Sequence, residues 1–246
     1  MGSAGNSYLD EVVRLLTEVR DEQALAIKRA AELIVDAVSA DGLVHMFGTG
    51  HSHLLAEELF YRAGGLAQIN PILVDALMLH AGAARGTRLE RLPGLAEALI
   101  DSERIGPHDI LIVVSNSGGN AACVEMALAA RSRGVPTVGL TSLQHATSPA
   151  SRHRDGPSLH DVVDVVLDNR GRPGDACVTL EGLEQSVAPT STAVGAALLN
   201  AVVAESVEIM LDRGHAPEVF ASSNLTDGDR VNEELIERYA PRVRAL

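Results

Sequence analysis

Three segments of the sequence place glycines and hydroxyl side chains directly after short apolar runs. They are GTGHS at 48–52, SNSGG at 115–119 and the pair Thr141-Ser142. Glycine lets backbone N–H groups approach an anion, and a following helix adds unpaired N–H groups and about half a positive charge. The pattern predicts a phosphate-binding site that uses Gly50, His51, Ser52, Ser115, Asn116, Ser117 and Thr141.

Each of these loops also has a simpler interpretation. A lone GxG segment is a weak signal, and GTGHSH lacks the third glycine of the dinucleotide-binding fingerprint. Ser115 and Ser117 are equally suited to cap the helix that follows them. Two such loops after two buried strands are more specific than one, because open parallel sheets bind ligands beyond the carboxyl ends of their strands.

Two glutamates are candidates for proton transfer. Glu90 lies in TRLERLPG, which has no clean amphipathic pattern, and a carboxylate in such a loop can act as a general acid or base. Glu58 lies in the helix after the first loop. The alternatives are ion pairs, of Glu58 with Arg62 four residues on and of Glu90 with Arg88 or Arg91. The sequence predicts Glu58 and Glu90 as catalytic residues and leaves open which is the acid and which the base.

The histidines are weaker candidates. His80 follows an apolar stretch and is predicted as a third catalytic residue, with Glu57 as a further candidate should Glu90 fail. His51 and His53 have the spacing of a metal-binding pair, although most lone histidines are structural or exposed. The sequence has no Cys/His ligand pattern for zinc, so we expect neither a metal nor a cofactor.

A long, almost wholly apolar helix is predicted at 190–214. Its hydroxyl-rich start includes Ser191, which is predicted to contact the ligand, with a helix cap as the alternative. A helix that is apolar on most faces is buried in the core or in a subunit interface. We therefore expect a homodimer.

The rest of the chain alternates strands with helices. Strands are predicted at 43–48, 70–75, the start of 109–119, 135–142 and 160–169. Helices are predicted at 8–40 in two segments, at 53–64, in pieces over 76–106, at 120–134 and at 231–239. This order predicts a three-layer α/β/α fold with a parallel sheet. No linker divides the chain, so 1–246 is predicted to be one domain, with an N-terminal helical segment (1–40), a core (41–214) and a C-terminal tail (215–246).

Composition narrows the choice of partners and compartment. The net charge is −13 without a cluster of Lys and Arg, which argues against a nucleic-acid partner. The sequence has no run of eighteen apolar residues, so no membrane span is predicted, and the N-terminus lacks the pattern of a signal peptide. Cys123 and Cys177 lie far apart and favour reduced thiols and a cytoplasmic location.

The sequence resembles the sugar isomerase (SIS) domain in two segments, GTGHSHLLAEELFYRAGG and IVVSNSGGN. That superfamily includes phosphoheptose isomerases and N-acetylmuramic acid 6-phosphate etherases. A closer resemblance, to an uncharacterised SIS-type family, extends over nearly the whole chain through ERLPG, TSLQHATSPASRH, VLDN, GDA, APTSTAVGA and VFASSN. The chain also looks like the actinobacterial N-acetylglucosamine 6-phosphate dehydratases. The resemblance implies a five-stranded flavodoxin-like sheet, a dimer, phosphate on the serine loops, and active sites completed by the neighbouring subunit.

The resemblance also bears on the candidate residues. In phosphoheptose isomerases an AEEL helix carries an active-site glutamate that matches Glu58, and the etherases use a carboxylate from the region of Glu90. The zinc-bearing isomerases have a histidine one turn before that glutamate, where this chain has Leu54, and a second one in the late helix, where 190–213 has none. These departures argue against a zinc site in this chain and against the interpretation of the chain as a simple isomerase.

The predicted reaction is therefore that of a lyase. It removes the proton at C2 of N-acetylglucosamine 6-phosphate and expels the group at C3, by acid–base chemistry alone. The first alternative is an aldose–ketose phosphosugar isomerase, which moves a proton between C1 and C2. The second is a phosphosugar sensor without catalysis.

Overall fold

The computed structural model describes residues 2–149 and 156–246, and its centre is a parallel sheet of five strands. The strands are β1 (Val44–Gly48), β2 (Ile69–Pro71), β3 (Ile110–Val114), β4 (Thr137–Thr141) and β5 (Val165–Asp168), in the order β2-β1-β3-β4-β5. The strand order reverses between β1 and β3. These two strands pair from Val44 with Ile110 to Gly48 with Val114, so their carboxyl ends lie side by side.

The helices flank this sheet on both faces, as the alternation of strands and helices predicts. They are α1 (Ala4–Glu22), α2 (Ala24–Ser39), α3 (His53–Leu59), α4 (Ala83–Leu89), α5 (Leu95–Ser102), α6 (Ala121–Ser132), α7 (Leu143–Ala146), α8 (Leu159–Val162), α9 (Ser191–Asp212) and α10 (Gly228–Tyr239). The expected three-layer α/β/α class with five parallel strands is confirmed.

Alternate residues of β3 separate two apolar cores. Ile110, Ile112 and Val114 pack with residues of α1, α2, α3 and α9 on one face. Leu111 and Val113 pack with residues of α5, α6 and α8 on the other. A strand buried on both faces is a continuous apolar run in the sequence, which is why this segment was recognisable. The burial fixes the end of β3, and with it the position of the SNSGG loop.

A two-stranded antiparallel hairpin, absent from the sequence-based assignment, lies between β5 and α9. It consists of β6 (Ala176–Val178) and β7 (Val187–Pro189). The strands have three residues each, and the connecting residues 179–186 are exposed. Such short strands carry too few apolar residues to show an alternating pattern, so no strand signal is visible here.

The strand predicted at 160–169 is wrong in its first half. Residues Leu159–Val162 form α8, which begins with a capping box between Ser158 and Asp161. Asp164 then accepts hydrogen bonds from the backbone N–H and the hydroxyl of Thr137 at 2.8 and 2.9 Å. These bonds tie Asp164 to the start of β4, so the chain pairs as a strand only from Val165. Residues 150–153 of the TSLQHATSPASRH motif, which spans 141–153, lie outside the described residues.

Two other predicted elements are shorter than expected. The helix at 53–64 ends at Leu59, because the chain turns to meet the C-terminal tail and Tyr61 packs edge-on against Phe220 at 5.2 Å. The strand at 70–75 ends at Pro71, and the last hydrogen bond to β1 is donated by the Ile72 N–H to the Met46 carbonyl at 2.8 Å. A turn of 3-10 helix follows at Asp75–Leu77.

Helix α9 is long and apolar enough to cross a membrane by length and composition alone, and it is the one such helix in the described ranges. Its residues Val194, Leu198 and Val202 are buried in the core beside the sheet, together with residues of α2. Core helices of globular proteins meet the same criterion, so the helix is accounted for by packing.

Candidate functional site

A cavity of about 550 Å³ opens at the carboxyl ends of the central strands. Its wall contains the loops that follow β1, β3 and β5, together with the hairpin β6–β7 and the first turn of α9. Most of the predicted site residues line it: Gly50, His51, Ser52, Glu90, Ser115, Asn116, Ser117 and Ser191. None of the described lining residues is Lys or Arg, so any anion here is held by backbone N–H groups, hydroxyls and amides.

The SNSGG loop is held rigidly at the end of β3. Ser115 is buried, and its hydroxyl accepts a hydrogen bond from the Gly118 N–H at 3.2 Å. Gly118 has a φ of +68°, and a Cβ atom there would lie 3.1 Å from the Thr141 hydroxyl. The glycine is therefore required both by its backbone conformation and by its close packing.

Asn116 is fixed by three hydrogen bonds. Its backbone carbonyl accepts from the Ser142 N–H at 3.1 Å and from the Thr141 hydroxyl at 3.2 Å, and its side-chain oxygen accepts from Asn169 at 2.9 Å. Thr141 is fully buried and supports this loop from behind, so it does not line the cavity. The structure gives Thr141 a supporting position where the sequence suggested a ligand contact.

The N-terminus of α6 follows this loop directly. Its N-cap residue Asn120 lines the cavity and makes no side-chain cap hydrogen bond, and the first turn contains no acidic residue. The first N–H groups of a helix lack partners within the helix and carry partial positive charge. The arrangement presents the partial positive charge of a helix start to the cavity.

The GTGHS loop brings His51 and Ser52 to the cavity and turns His53 away from it. His51 is exposed, whereas His53, the first residue of α3, is only 1% exposed. Burial lowers the pKa of His53, with the nearby Glu57 carboxylate opposing this effect. The two histidines therefore do not converge as a metal-binding pair would.

Glu90 is joined to the first loop by a short hydrogen bond. The Thr49 hydroxyl donates to Glu90 Oε2 at 2.5 Å, and the Glu90 carbonyl accepts the Ala122 N–H at 3.0 Å. Beneath them the buried Cys123 has its pKa raised to about 12, chiefly by burial and further by the Glu90 charge. Within the described ranges Glu90 makes no ion pair with Arg88 or Arg91. Its carboxylate is thus held at the cavity by a neutral donor.

Two predicted catalytic residues lie outside the cavity. Glu58 of α3 pairs with Arg62, which follows that helix, and accepts a hydrogen bond from Asn200 of α9 at 3.2 Å. This is the ion pair that the sequence offered as the alternative. His80 is exposed in a turn of 3-10 helix, and its neighbour Leu79 lines the cavity instead.

Asp175 is a lining residue that sequence reasoning missed. Its carboxylate accepts hydrogen bonds from the N–H groups of Thr190 and Ser191 at 3.0 and 2.8 Å, and from the Ser191 hydroxyl at 2.6 Å. Ser191 is therefore committed to a capping interaction at the start of α9. The signal available in the sequence was the aspartate of GDA at 174–176, fifteen residues before a hydroxyl-rich helix start.

His145 is the second lining residue that was missed. Its Nδ1 accepts the Gly174 N–H at 3.1 Å, and its own backbone N–H donates to the Ser142 hydroxyl at 3.0 Å. It links the loop after β4 to the loop that carries Asp175. Its only sequence signal was membership of the segment TSLQHATS.

Comparison with known sequences assigns the chain to a family. The description "SIS domain" belongs to the family profile that matches residues 7–142. A UPF0309 protein of Geobacillus thermodenitrificans is 42% identical over 241 residues, which cover 98% of this chain and 97% of that protein.

Solved structures share the fold at low sequence identity. A phosphoheptose isomerase from Francisella tularensis has a TM-score of 0.54 at 14% identity and covers 82% of this chain and 96% of its own. The sugar isomerase domain of an RpiR transcription factor from Sphaerobacter thermophilus has a TM-score of 0.52 at 20% identity, covering 95% and 98%. E. coli CFT073 c3406, solved in complex with a phosphosugar, has a TM-score of 0.52 at 16% identity, covering 84% and 89%. The resemblance seen in the sequence is thus confirmed, and the chain belongs to the SIS domain family and, within it, to the UPF0309 proteins.

Proposed function

We propose that the cavity binds a phosphorylated sugar, with its phosphate at the SNSGG loop and the N-terminus of α6. The observation that carries this proposal is the α6 start, which has no acidic residue in its first turn and opens on the cavity beside Ser115 and Ser117. Helix N-termini bind phosphate without a basic side chain. The SIS family assignment and the phosphosugar complex of the E. coli structural neighbour support the same class of ligand.

The reaction we propose is loss of water from N-acetylglucosamine 6-phosphate across C2 and C3. In the ring-opened sugar the C1 aldehyde acidifies the C2 proton. Glu90 takes that proton, the electron pair of the C2–H bond forms the C2–C3 double bond, and the protonated Glu90 gives the proton to the departing C3 hydroxyl, which leaves as water. The Thr49 hydroxyl occupies Glu90 Oε2, which leaves Oε1 to handle the proton.

Glu58 is the second carboxylate predicted to be catalytic, and in our proposal it reaches the substrate of the neighbouring subunit. It lies on the side of α3 that faces Asn200 of α9, outside the cavity of its own protomer. In the proposed dimer this side would lie near the second subunit, so Glu58 would act there. The same holds for His80 at the exposed rim beside Leu79.

Two alternatives remain open to test. An isomerase would use Glu90 to move one proton between C2 and C1, and the shared fold with a phosphoheptose isomerase favours it. A sensor would bind without turnover, and the shared fold with an RpiR sugar isomerase domain favours that.

One incubation separates these functions. The purified protein is mixed with N-acetylglucosamine 6-phosphate and the sugar is followed by mass spectrometry and NMR. We expect loss of one water. An unchanged mass with a new sugar spectrum would establish the isomerase, and binding by calorimetry without any new sugar would establish the sensor. Absence of both binding and turnover with this sugar and with arabinose 5-phosphate would contradict the proposal.

We also propose that the protein is a cytoplasmic homodimer whose interface includes α9. Ala193, Ala197, Ala201 and Ala204 form an exposed row along that helix. An apolar groove between α1, α2 and α9 lies beside them, and Leu25 at its edge is 84% exposed. Large exposed apolar surfaces of this kind mark interaction sites.

The oligomeric state is tested by light scattering at micromolar concentration. We expect a species of twice the chain mass, and we expect Ala201→Arg to convert it to a monomer by placing a charge in the interface. Ala98→Arg on the exposed side of α5 is the matched control and should leave the dimer intact. A monomeric wild-type protein would contradict the proposal.

A further inference from the structure

Helices α6 and α9 both begin at the cavity, and the start of α9 is already occupied by an anion of the protein itself. At α9 the Asp175 carboxylate takes up the N–H groups of Thr190 and Ser191 and the Ser191 hydroxyl. These three donors have the geometry with which a helix start binds phosphate. A ligand that brings a second phosphate to this end would have to displace Asp175 or lie beside its charge.

No described lining residue would offset that charge. The described lining residues include two carboxylates, Glu90 and Asp175, and no Lys or Arg. Arg172 lies near this end but is engaged with Glu11, whose pKa is lowered to about 2 by hydrogen bonds with Arg14 and Arg172. The α9 end of the cavity is therefore electrostatically unfavourable for an anion and favourable for hydroxyl or amide donors.

We infer that Asp175 makes the cavity specific for sugars that carry a single phosphate, by holding the second anion position with its own carboxylate. The inference rests on the proposed phosphosugar function and adds a substrate class to it. The phosphate enters at α6, and the uncharged end of the sugar lies toward Asp175. One carboxylate oxygen, Oδ2, accepts only from Ser191 and retains capacity for a sugar hydroxyl or amide N–H.

The backbone of Asp175 allows clean substitutions. Its φ is 67°, in the left-handed region, where asparagine and glycine are the residues best tolerated. Asp175→Asn removes the charge and keeps an oxygen for the two N–H groups. Asp175→Gly removes the side chain and leaves the three donors of α9 unoccupied.

The experiment compares the affinities for a hexose 6-phosphate and for the corresponding hexose 1,6-bisphosphate by calorimetry. The wild type should bind the monophosphate in preference. In Asp175→Gly we expect the ratio of the bisphosphate affinity to the monophosphate affinity to rise by roughly tenfold. The donors at the start of α9 become available to an anion, and the negative charge of Asp175 is removed. Asp175→Asn should shift it in the same direction by a smaller factor, because the amide still fills the position.

Asp227→Gly is the matched control. This aspartate has a φ of 65° at the start of α10, outside the cavity, so its loss should leave the ratio unchanged. If both Asp175 variants bind the monophosphate and show the same ratio of the two sugar affinities as the wild type, the inference is overturned while the proposed function stands. If Asp175→Gly does not fold, Asp175→Asn decides alone. A wild-type protein that binds neither sugar would instead defeat the proposed function.

Discussion

Helices α6 and α9 both begin at the cavity, but their first turns lie in opposite electrostatic settings. The α6 start follows Asn120 with no acidic residue in its first turn and no side-chain cap. The partial positive charge at the α9 start is neutralised by the Asp175 carboxylate, which accepts hydrogen bonds from the N–H groups of Thr190 and Ser191. In our proposal the same backbone feature serves as an anion site in α6, whereas in α9 it is a structural joint.

This difference shows that a hydroxyl-rich helix start is not evidence of a ligand by itself. Ser115 was predicted to contact phosphate because it follows a buried strand, and Ser191 to contact the ligand because it opens a hydroxyl-rich helix, yet the Ser191 hydroxyl is used by Asp175. The Ser115 hydroxyl accepts the Gly118 N–H and lies beside the buried Cys123 thiol, and no carboxylate of a described residue bonds to it. Whether a helix start is free to bind a phosphate depends on whether a carboxylate of the protein already occupies it.

Glu90 lies in the same cavity as both helix starts, and its loss should have the largest effect. Glu90→Gln keeps an acceptor for the Thr49 hydroxyl but cannot take a proton. We expect turnover to fall by about 10²–10⁴-fold with little change in melting temperature. Steady-state kinetics on the substrate identified by mass spectrometry measures this.

The control for that change is Glu97→Gln, an exposed glutamate in the first turn of α5. It should keep wild-type turnover. Near wild-type turnover of Glu90→Gln would show that Glu90 does not carry proton transfer, and Glu57 and His80 would then be substituted in turn.

Ser115→Ala tests whether the phosphate binds at the start of α6. The variant removes one hydroxyl from the floor of the proposed phosphate site, while the Gly118 N–H keeps its hydrogen bond to the backbone carbonyl of residue 115 at 3.1 Å. Substrate binding should weaken by about 1–2 kcal/mol, which is roughly 5- to 30-fold in Kd. Titration calorimetry gives this value directly.

Ser132→Ala is the matched serine control for that experiment. Its hydroxyl bonds the Ala129 carbonyl at the far end of α6, at 2.8 Å, and its loss should leave Kd unchanged. Equal affinities of Ser115→Ala and the wild type would place the phosphate elsewhere and would remove the contrast between the two helix starts.

Much of the fold could be predicted because it depends on local patterns. The apolar run before SNSGG identified β3, since a strand buried on both faces needs no alternation. The hairpin β6–β7 escaped prediction because its strands of three residues are too short to show a pattern, and the early end of α3 escaped it because it depends on a contact with a distant segment. Tyr61, for example, leaves the helix to pack against Phe220.

The candidate site divides in the same way. Ser52, Ser115 and Ser117 were found because they follow strand ends directly in the sequence. Asp175 and His145 were missed because neither is a hydroxyl residue placed directly after a predicted strand. Their positions depend on hydrogen bonds to Ser191 and Gly174, which no local pattern encodes.

Glu58→Gln should have a smaller effect than Glu90→Gln and sharpens the assignment of the two carboxylates. Glu58 is paired with Arg62 and lies outside the cavity of its protomer. We expect turnover to fall about tenfold or less, and stability to change by under about 1 kcal/mol, as for an exposed ion pair. A loss as large as that of Glu90→Gln, in a protein that remains dimeric, would establish Glu58 as an equal partner acting across the interface.

A third helix, α3, begins at the cavity rim with His53. Replacing this histidine should have the smallest effect, a change in how stability depends on pH. His53 is buried there, neither ring nitrogen makes a hydrogen bond to a described residue, and burial lowers its pKa from 6.5. Below about pH 6.5 the unfolded chain therefore binds a proton that the folded protein does not, so stability falls as the pH decreases. Replacing His53 with glutamine should reduce the loss of melting temperature between about pH 7 and pH 5, with His51→Gln at the exposed position as the control. Equal pH slopes in the wild type and His53→Gln would show that the proton is accommodated in the folded state, and that α3 is not held by a neutral histidine.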